Sequence, residues 1–420
     1  MASTFIRRFS FHNSWVGGCG EVRTYKFRLY PSEEEERKLE ETLELCRRLY
    51  NHFLEELNER EKVPHRYELQ RELPRFKEGH PEYKRVHSKV LQMVLHRLYS
   101  NLRSLAKRKE NGYKVGRLRY RGKGWYKTFT YNQSGFTIIK TGTRLDVLHL
   151  SKIGEIPVRM HREVEGVIKQ IVIKRYASGK WYACVQTDDG GERRCGSGVV
   201  AIDVNTSNYL TDSDGRIIEN PKYVEEKEER LKREQRNLAR KERGSENWKQ
   251  QKIKVARAFE SLTNCRLDFI HKLTTAYVEH YDTIILEDLD VSRMNAGSRY
   301  AKANYDVAWG VFKQLLLYKA ASAGAEVVFV APKGTTQTCA NCGSHVPKGI
   351  WERTHKCHEC GFTLPRDYNA ALTILQRGLE KLDRGQVEVT PVETGAPTLT
   401  HVSASSVMEA GSSSLVSVAN

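Results

Sequence analysis

The chain has 420 residues, enough for two or three domains with substantial hydrophobic cores. Lysine and arginine total 69 against 52 acidic residues, and this net charge of +17 predicts a polyanionic partner, because each neutralised phosphate releases counterions; the alternative is a basic surface that only aids solubility. The sequence has no run of about 18 apolar residues and no apolar leader, so we expect neither a membrane partner nor a secretory signal.

The first predicted elements are a strand and a helical module. Residues 1–22 have no periodic pattern and are expected to form an extension ahead of the folded body. Thr24–Tyr30 alternates polar with apolar residues, which predicts a strand. A capping box at Ser32 and Glu35 predicts the start of a helix, and apolar residues at helical spacing predict more helix from about Pro81 to Lys109.

Residues 112–140 interleave arginine and lysine with tyrosine, tryptophan and glycine. Aromatic faces can stack on bases while the cations hold phosphates; the alternative is a basic antiparallel strand whose aromatics face a core. Short β runs extend to about Thr187, and we expect the first strand to close a small barrel with them, the helices being an insertion. The candidate nucleic-acid-binding residues here are Arg117, Arg119, Tyr120, Arg121, Lys123 and Trp125.

The second half of the chain opens with a buried strand that carries one carboxylate. Val199–Asn205 is apolar around Asp203, and the Asp-Gly pair at 214–215 predicts a hairpin turn with a return strand at Arg216–Ile218.

A long, highly charged helical region is predicted from about Val224 to His280. Its basic face either contacts nucleic acid or is a solvated helical hairpin, and Lys232 and Arg236 are the candidate contacts. Thr283–Leu289 is a second apolar strand ending in acid, with Glu287 near its end; a helix and another β run follow.

Two Cys-x-x-Cys pairs, each followed by a glycine, lie between residues 339 and 361. Such a turn brings two thiolates to one ion, and two turns supply the closed four-sulfur set of a structural zinc site. Two disulfides or four core thiols are the alternatives. Disulfides are disfavoured because nothing indicates secretion, and the five other cysteines are scattered, as expected in a reducing cytosol. The predicted zinc ligands are Cys339, Cys342, Cys357 and Cys360.

Three acids, Asp203, Glu287 and Asp367, each lie in or beside an apolar segment, where an unpaired charge is costly. Converging carboxylates suit Mg²⁺ or Mn²⁺, and two such ions about 3.5–4 Å apart support phosphodiester hydrolysis. For any one acid, a cap or an ion pair is the alternative. Their order, a strand Asp with a hairpin, a strand-end Glu and a helix-opening Asp, is that of the RNase H-like nuclease fold.

With its acids in this order the chain resembles TnpB, the family of RNA-guided nucleases encoded by bacterial and archaeal insertion sequences, also described as OrfB-type transposases and related to type V CRISPR effectors. The resemblance covers roughly residues 23–400 and is specific in combination and order. Departures at Ala201, Asn205 and Pro365 leave all three carboxylates in place. The matching segments are Tyr25–Pro31, Pro81–Lys84, His87–Gln92, Asp203, Ile285–Leu289, Gly334–Cys339 and Arg366–Ala371.

The resemblance implies a multi-domain α/β fold: an RNase H-like, RuvC-type nuclease domain with an inserted zinc ribbon, and a small wedge β-barrel that carries a helical recognition insertion. The expected boundaries are an N-terminal extension at 1–22, the wedge barrel at 23–31 and 112–196, the recognition lobe at 32–111, the nuclease domain at 197–332 and 363–384, the zinc ribbon at 333–362, and a disordered tail at 385–420.

The resemblance also implies the catalytic residues and the partners. Asp203, Glu287 and Asp367 would be the catalytic triad that binds magnesium. Arg353 would lie near the cut strand, or else make only a surface contact within the ribbon. The implied cofactors are structural Zn²⁺, catalytic Mg²⁺ or Mn²⁺, and a guide RNA from the end of the element; the implied partner is double-stranded target DNA in the prokaryotic cytosol or nucleoid.

The expected function is therefore that of an RNA-guided, divalent-metal-dependent DNA endonuclease of a transposable element, with a two-metal RuvC-type mechanism. One alternative is a cleavage-inactive RNA-guided DNA-binding repressor, against which the three intact acids count. The other is a transposase that acts directly on element ends with the same acids, which the resemblance disfavours.

Overall fold

The computed structural model describes most of the chain as two compact units, Met1–Gly191 and Glu192–Asn420. None of the described helices is long and apolar enough to cross a membrane. The predicted extension at 1–22 lies outside the described residues except for Val22. The described stretches are 22–188, 194–205, 207–221, 223–289, 308–349, 351–382 and 400–409.

The first unit contains a seven-stranded antiparallel sheet. Its strands are β1 (Val22–Leu29), β2 (Thr128–Asn132), β3 (Phe136–Ile139), β4 (Asp146–Leu150), β5 (Gly154–Arg159), β6 (Ile168–Arg175) and β7 (Trp181–Asp188). Their order in the sheet is β2-β6-β7-β1-β5-β4-β3. Strands β2 and β3 are the two edges of the sheet, and no hydrogen bonds between them are seen among the described residues, so the sheet is open and forms half of a barrel. Tyr25, Phe27 and Leu29 alternate inward along β1, so this strand is confirmed.

Three helices lie in the chain between β1 and β2. They are α1 (Glu33–Glu59), α2 (Arg66–Gly79) and α3 (Ser88–Glu110), with a 3₁₀ turn at Pro81–Arg85. The capping box is present, because the N–H of Ser32 donates to Oε2 of Glu35 at 2.7 Å and the N–H of Glu35 donates to Oγ of Ser32 at 3.4 Å. The sequence does not predict α2, since only Leu69 and Leu73 are buried on it and Pro74 lies inside it.

The second unit contains a mixed sheet and a small hairpin. The strands are β8 (Val199–Val204), β9 (Leu210–Asp212), β10 (Arg216–Ile218), β11 (Thr283–Glu287), β12 (Glu326–Val330), β13 (Thr354–Lys356), β14 (Thr363–Pro365) and β15 (Thr400–Val402). The sheet order is β12-β11-β8-β9-β10-β15, in which β12, β11 and β8 run parallel and β9 is antiparallel to both of its neighbours. Strands β13 and β14 pair separately.

Helices cover both faces of this second sheet. The described helices of this unit are α4 (Tyr223–Ala239), α5 (Glu246–His280), α6 (Trp309–Ala323), α7 (Arg366–Lys381) and α8 (Ala404–Glu409). Successive strand residues point to opposite faces, so Ile284 packs with Phe312 of α6 while Ile285 packs with Ala201 and with Ile374 of α7. Burial on both faces explains why β8 and β11 read as continuous apolar runs.

The prediction of a disordered tail at 385–420 is wrong for residues 400–409. There β15 pairs in parallel with β10, opposite Arg216–Ile218, and α8 follows. Val402, Ala404 and Val407 are buried in the same core as α5. The segment is poor in large apolar residues, but β10 offers an otherwise open sheet edge that three small hydrophobic residues can cover.

Candidate active site

Four cysteines converge in the ribbon. Their Sγ atoms all lie within 4.8 Å of one another, and across the two pairs the distances are 3.7 Å from Cys339 to Cys360 and 3.6 Å from Cys342 to Cys357. A tetrahedron with metal–sulfur bonds of about 2.3 Å has edges of about 3.8 Å, so the four thiols fit one zinc ion. All four thiols are free, and these separations far exceed a disulfide bond of about 2.05 Å.

The glycine after each cysteine pair shapes the turn. Gly343 and Gly361 have φ of 74° and 76°, in the left-handed region that glycine adopts without strain. Their N–H groups donate to the carbonyl oxygens of Cys339 and Cys357 at 2.9 and 3.1 Å. These hydrogen bonds close the two turns and aim both thiols of each pair at one point.

Strand register brings two of the three acids to the same sheet edge. Strands β8 and β11 pair in parallel with Leu286 opposite Ile202, and Asp203 and Glu287 are the next residue along each strand. Asp203 is only 6% exposed. Asp367 occupies the first turn of α7, the helix that packs on this face of β8 and β11. The fold therefore gathers carboxylates that are far apart in sequence.

The electrostatics of Asp203 reflect this gathering. Burial raises the pKa of Asp203 well above its usual range, Glu287 and Asp367 raise it further, and Arg366 lowers it. Burial likewise raises the pKa of Glu287, whereas the hydroxyl of Thr335 lowers it. Carboxylates held in this way favour a cation, because a cation relieves both the desolvation and the mutual repulsion.

Two neighbours that sequence reasoning did not single out orient the acids. Thr335 Oγ1 donates to Glu287 Oε1 at 2.5 Å. Arg366 donates from Nε to Asp367 Oδ1 at 3.0 Å, and its Nη2 lies 2.9 Å from the same oxygen. Both residues lie within quoted motifs, but only their side-chain contacts reveal this role.

Within the described stretches, the four cysteines are the one group of three or more candidate ligands gathered closely enough to hold a metal ion. The three carboxylates are not such a group in this structure.

Helix α7 joins the cysteine ribbon to the acids. Buried Asn369 accepts from the N–H of Ala340 at 3.1 Å and donates from Nδ2 to the carbonyl of Thr338 at 2.8 Å. Thr373 Oγ1 also donates to Thr338, at 3.3 Å, and Gln376 Nε2 donates to the carbonyl of Ala340 at 2.5 Å. The backbone on both sides of Cys339 is thus fastened to the helix that begins at Arg366 and carries Asp367.

Arg353 lies on the exposed side of the ribbon, directly before β13. Its carbonyl accepts the N–H of Arg366 at 2.8 Å, so its backbone adjoins the start of α7. The backbone of Arg353 therefore lies one residue from Asp367 across this hydrogen bond. The contact of its side chain with the cut strand stays a prediction.

The basic aromatic segment of the first unit has no helix or strand between residues 113 and 127, just before β2. Tyr120 and Trp125 are each 54% exposed, whereas the alternative interpretation requires them to face a core. Arg121 is half-buried: its N–H donates to Asn51 Oδ1 at 2.7 Å, and its carbonyl accepts from Arg47 Nη1 at 2.8 Å. The exposed members of the predicted set are Arg117, Arg119, Tyr120, Lys123 and Trp125.

In the second unit, Lys232 and Arg236 are exposed on α4. They lie four residues apart and so share one face of the helix. This placement suits either contact with nucleic acid or solvation.

Three family profiles match the chain. OrfB_IS605, described as a probable transposase, matches residues 183–296; the Cas12f1-like TNB domain matches 309–374; and the OrfB_IS605 helix-turn-helix domain matches 22–62, the range of β1 and α1.

Curated relatives cover nearly the whole chain. It is 30% identical over 374 residues to the "Putative RNA-guided DNA endonuclease" of Streptomyces pristinaespiralis, covering 85% of this chain and 89% of that one. It is 27% identical over 400 residues to the "Putative RNA-guided DNA endonuclease InsQ" of Escherichia coli K12, covering 90% and 96%. A cryo-EM structure of a Cas12f1–sgRNA–target DNA complex matches in fold, with a TM-score of 0.56 at 13% identity over 84% of this chain and 98% of the other.

A parallel three-strand core, with acids at two strand ends and a third acid on the covering helix, is the RNase H-like, RuvC-type nuclease fold, as predicted. The sequence matches then identify the family. This chain belongs to the TnpB family of OrfB-type proteins, related to the Cas12 effectors, which confirms the resemblance read from its motifs.

Proposed function

We propose that this protein is an RNA-guided DNA endonuclease that hydrolyses phosphodiester bonds with divalent metal ions. The observation that carries the proposal is the parallel register of β8 and β11, which sets Glu287 beside buried Asp203, with Asp367 on the helix packed against both strands. The relatives named as RNA-guided DNA endonucleases support the same activity and the same kinds of partner, a guide RNA and DNA, which we propose to be double-stranded.

The chain's own residues would divide the work as follows. Asp203, Glu287 and Asp367 would supply hard oxygen ligands for Mg²⁺ or Mn²⁺ in a two-metal site. When bound, such ions lower the pKa of a water nucleophile and neutralise charge on the leaving oxygen. Thr335 holds one carboxylate in place, and Arg366 holds another.

The ribbon and the basic surfaces would position the substrates. We propose that Zn²⁺ fills the four-cysteine site and fixes the start of α7, and that Arg353 reaches the cut strand. We assign the wedge to 23–31 and 112–196, the recognition lobe to 32–111, and RNA or DNA contacts to the predicted basic and aromatic residues. The guide would come from the end of the element, and the protein would act where the genomic DNA lies, in the cytosol or nucleoid.

The decisive experiment purifies the protein with its co-expressed RNA, sequences that RNA, and tests cutting of matching DNA with Mg²⁺. Asp203→Ala should abolish cutting while leaving DNA binding intact. The matched control is Asp288→Ala, which removes an exposed carboxylate one residue from Glu287, where it is paired only with Lys313 at 2.7 Å among the contacts described. Tight binding without nicking by the wild-type complex would indicate the repressor, and strand joining without RNA would indicate the transposase.

A further inference from the structure

Trp351 is the most exposed large apolar side chain in the described part of the protein, with 81% of its surface accessible. It lies in a tight turn of the ribbon, closed by a 3.1 Å hydrogen bond from the N–H of Glu352 to the carbonyl of Gly349. The ribbon core is made of other residues, among them Val346 and Phe362. Packing does not account for an indole left in water at this position, and a ring that is apolar on its face and polar at its N–H suits a binding surface.

The turn is anchored beside the proposed active site. The carbonyl of Glu352 accepts from Arg366 Nη1 at 3.2 Å, and the carbonyl of Arg353 accepts from the N–H of Arg366 at 2.8 Å. Arg366 in turn holds Asp367 through Nε at 3.0 Å. Trp351 is therefore attached, through the two residues that follow it, to the residue that orients one of the three carboxylates.

Two exposed cations lie close to the indole in sequence: Arg353 follows it by two residues and Lys356 by five. An aromatic face flanked by cations suits a single nucleic-acid strand, because an unpaired base offers its π-face while the phosphates meet the charges. A base inside a duplex has no free face to offer.

We propose that Trp351 is a stacking platform for an unpaired base of the DNA strand next to the scissile phosphate. It is a positioning residue: it would hold the strand so that the phosphate lies at the carboxylates, and it would do so without sequence preference. The inference rests on the proposed nuclease function and adds to it how the strand is held.

The first test does not depend on cutting. RNA-bound protein carrying Asp203→Ala is mixed with matching DNA in which 2-aminopurine replaces one base at a time around the cut site. Stacking on indole quenches its fluorescence, so we expect quenching centred on one position. The quenching should be lost with Trp351→Ala, largely kept with Trp351→Phe, and unchanged with Tyr318→Ala, which removes an aromatic of 40% exposure on α6.

The second test uses the cutting-competent protein under single-turnover conditions. Trp351→Ala should slow cleavage by about 5- to 100-fold, the range for one base–aromatic stack. An abasic nucleotide at the quenched position should slow the wild type by a similar factor and should not slow Trp351→Ala further.

The outcomes separate the two proposals. Quenching that depends on Trp351 in a complex that never cuts DNA would support the platform and overturn the nuclease. Cutting by Trp351→Ala at the wild-type rate with unchanged quenching would overturn the platform alone. Two other outcomes would also overturn the platform. If Trp351→Phe loses as much quenching and cleavage as Trp351→Ala, the indole serves the fold of the ribbon. If Trp351→Ala changes the sedimenting mass of the complex, the indole serves a protein contact.

Discussion

At Gly378 the helix carrying Asp367 lies against the sheet with no room for a side chain. A Cβ added there would lie 2.4, 2.5 and 2.8 Å from the Cδ1, Cγ2 and Cγ1 atoms of Ile285. Ile285 is fully buried two residues before Glu287, so it cannot swing aside. Gly378→Ala must therefore push α7 away from β11, and this displacement separates Asp367 from Glu287.

The expected cost combines two opposing effects. Overpacking a core by one methyl costs about 1–3 kcal/mol, and contacts this short point to the upper end of that range. Replacing glycine by alanine within a helix offsets up to about 1 kcal/mol. We expect a net loss of about 2 kcal/mol in the free energy of unfolding, seen as a Tm lower by about 4–8 °C. Cleavage should fall by about 10- to 100-fold, because catalytic geometry tolerates displacements of well under 1 Å.

Differential scanning calorimetry and single-turnover cleavage check this prediction. The matched control is Gly310→Ala on α6, where an added Cβ meets nothing within 4 Å, so stability should be unchanged or slightly increased. Ile285→Ala removes all three clashing carbons, so the double variant should be no less stable than Ile285→Ala alone. A Gly378→Ala protein that melts and cuts like the wild type, or a double variant with additive losses, would refute the reasoning.

Three further predictions concern metals, pH and salt. Cys357→Ser should lose zinc and, through the contacts between the ribbon and α7, slow cleavage, whereas the control Cys265→Ser should keep its zinc. Atomic absorption measures the zinc content of both variants. Full zinc content in Cys357→Ser would disprove the site. Because the pKa of Asp203 is raised in the folded protein, chiefly by burial, the folded state binds that proton more tightly than the unfolded one. In magnesium-free buffer, stability should therefore fall as pH rises above about 4 and through the raised pKa. Asp203→Asn should reduce this slope in thermal melts, the remainder coming from Glu287, whose pKa is also raised. An identical slope in the variant would contradict the assignment. DNA affinity should drop steeply between about 50 and 200 mM salt. In anisotropy titrations, the double variant Lys232→Ala with Arg236→Ala should make the negative slope of log K against log salt shallower by about 2. An affinity that does not change with salt would mean that the basic residues are only solvated and do not contact phosphates.

The sequence predicts most reliably what is encoded locally. Both cysteine turns contain all their ligands within four residues, and the buried strands that carry Asp203 and Glu287 are continuous apolar runs, so their chemistry can be read directly. The strand β15 has no such pattern, because its partner β10 lies far away in the sequence and supplies the edge that makes the segment fold.

The supports of the site are a harder case. In the sequence, Asn369 and Gly378 look like ordinary residues of a helix rich in small side chains. The neighbouring residues do not indicate that Asn369 bonds to the backbone of Ala340, 29 residues upstream, or that Gly378 lies against Ile285 on a distant strand. Thr335 lies in a matching motif, but its hydroxyl can bond to Glu287 only because the fold brings the end of β11 beside it. Tertiary proximity creates these roles, and a single sequence does not contain it.

The hydrogen bonds between the cysteine ribbon and α7 have a consequence for protein engineering. Every hydrogen bond from Asn369, Thr373 and Gln376 to the ribbon ends on main-chain atoms, the carbonyl of Thr338 and both polar groups of Ala340. These three residues therefore depend on the path of the ribbon backbone and not on its side chains. A ribbon transplanted from a distant relative should keep these hydrogen bonds as long as the backbone of its first cysteine turn follows the same path.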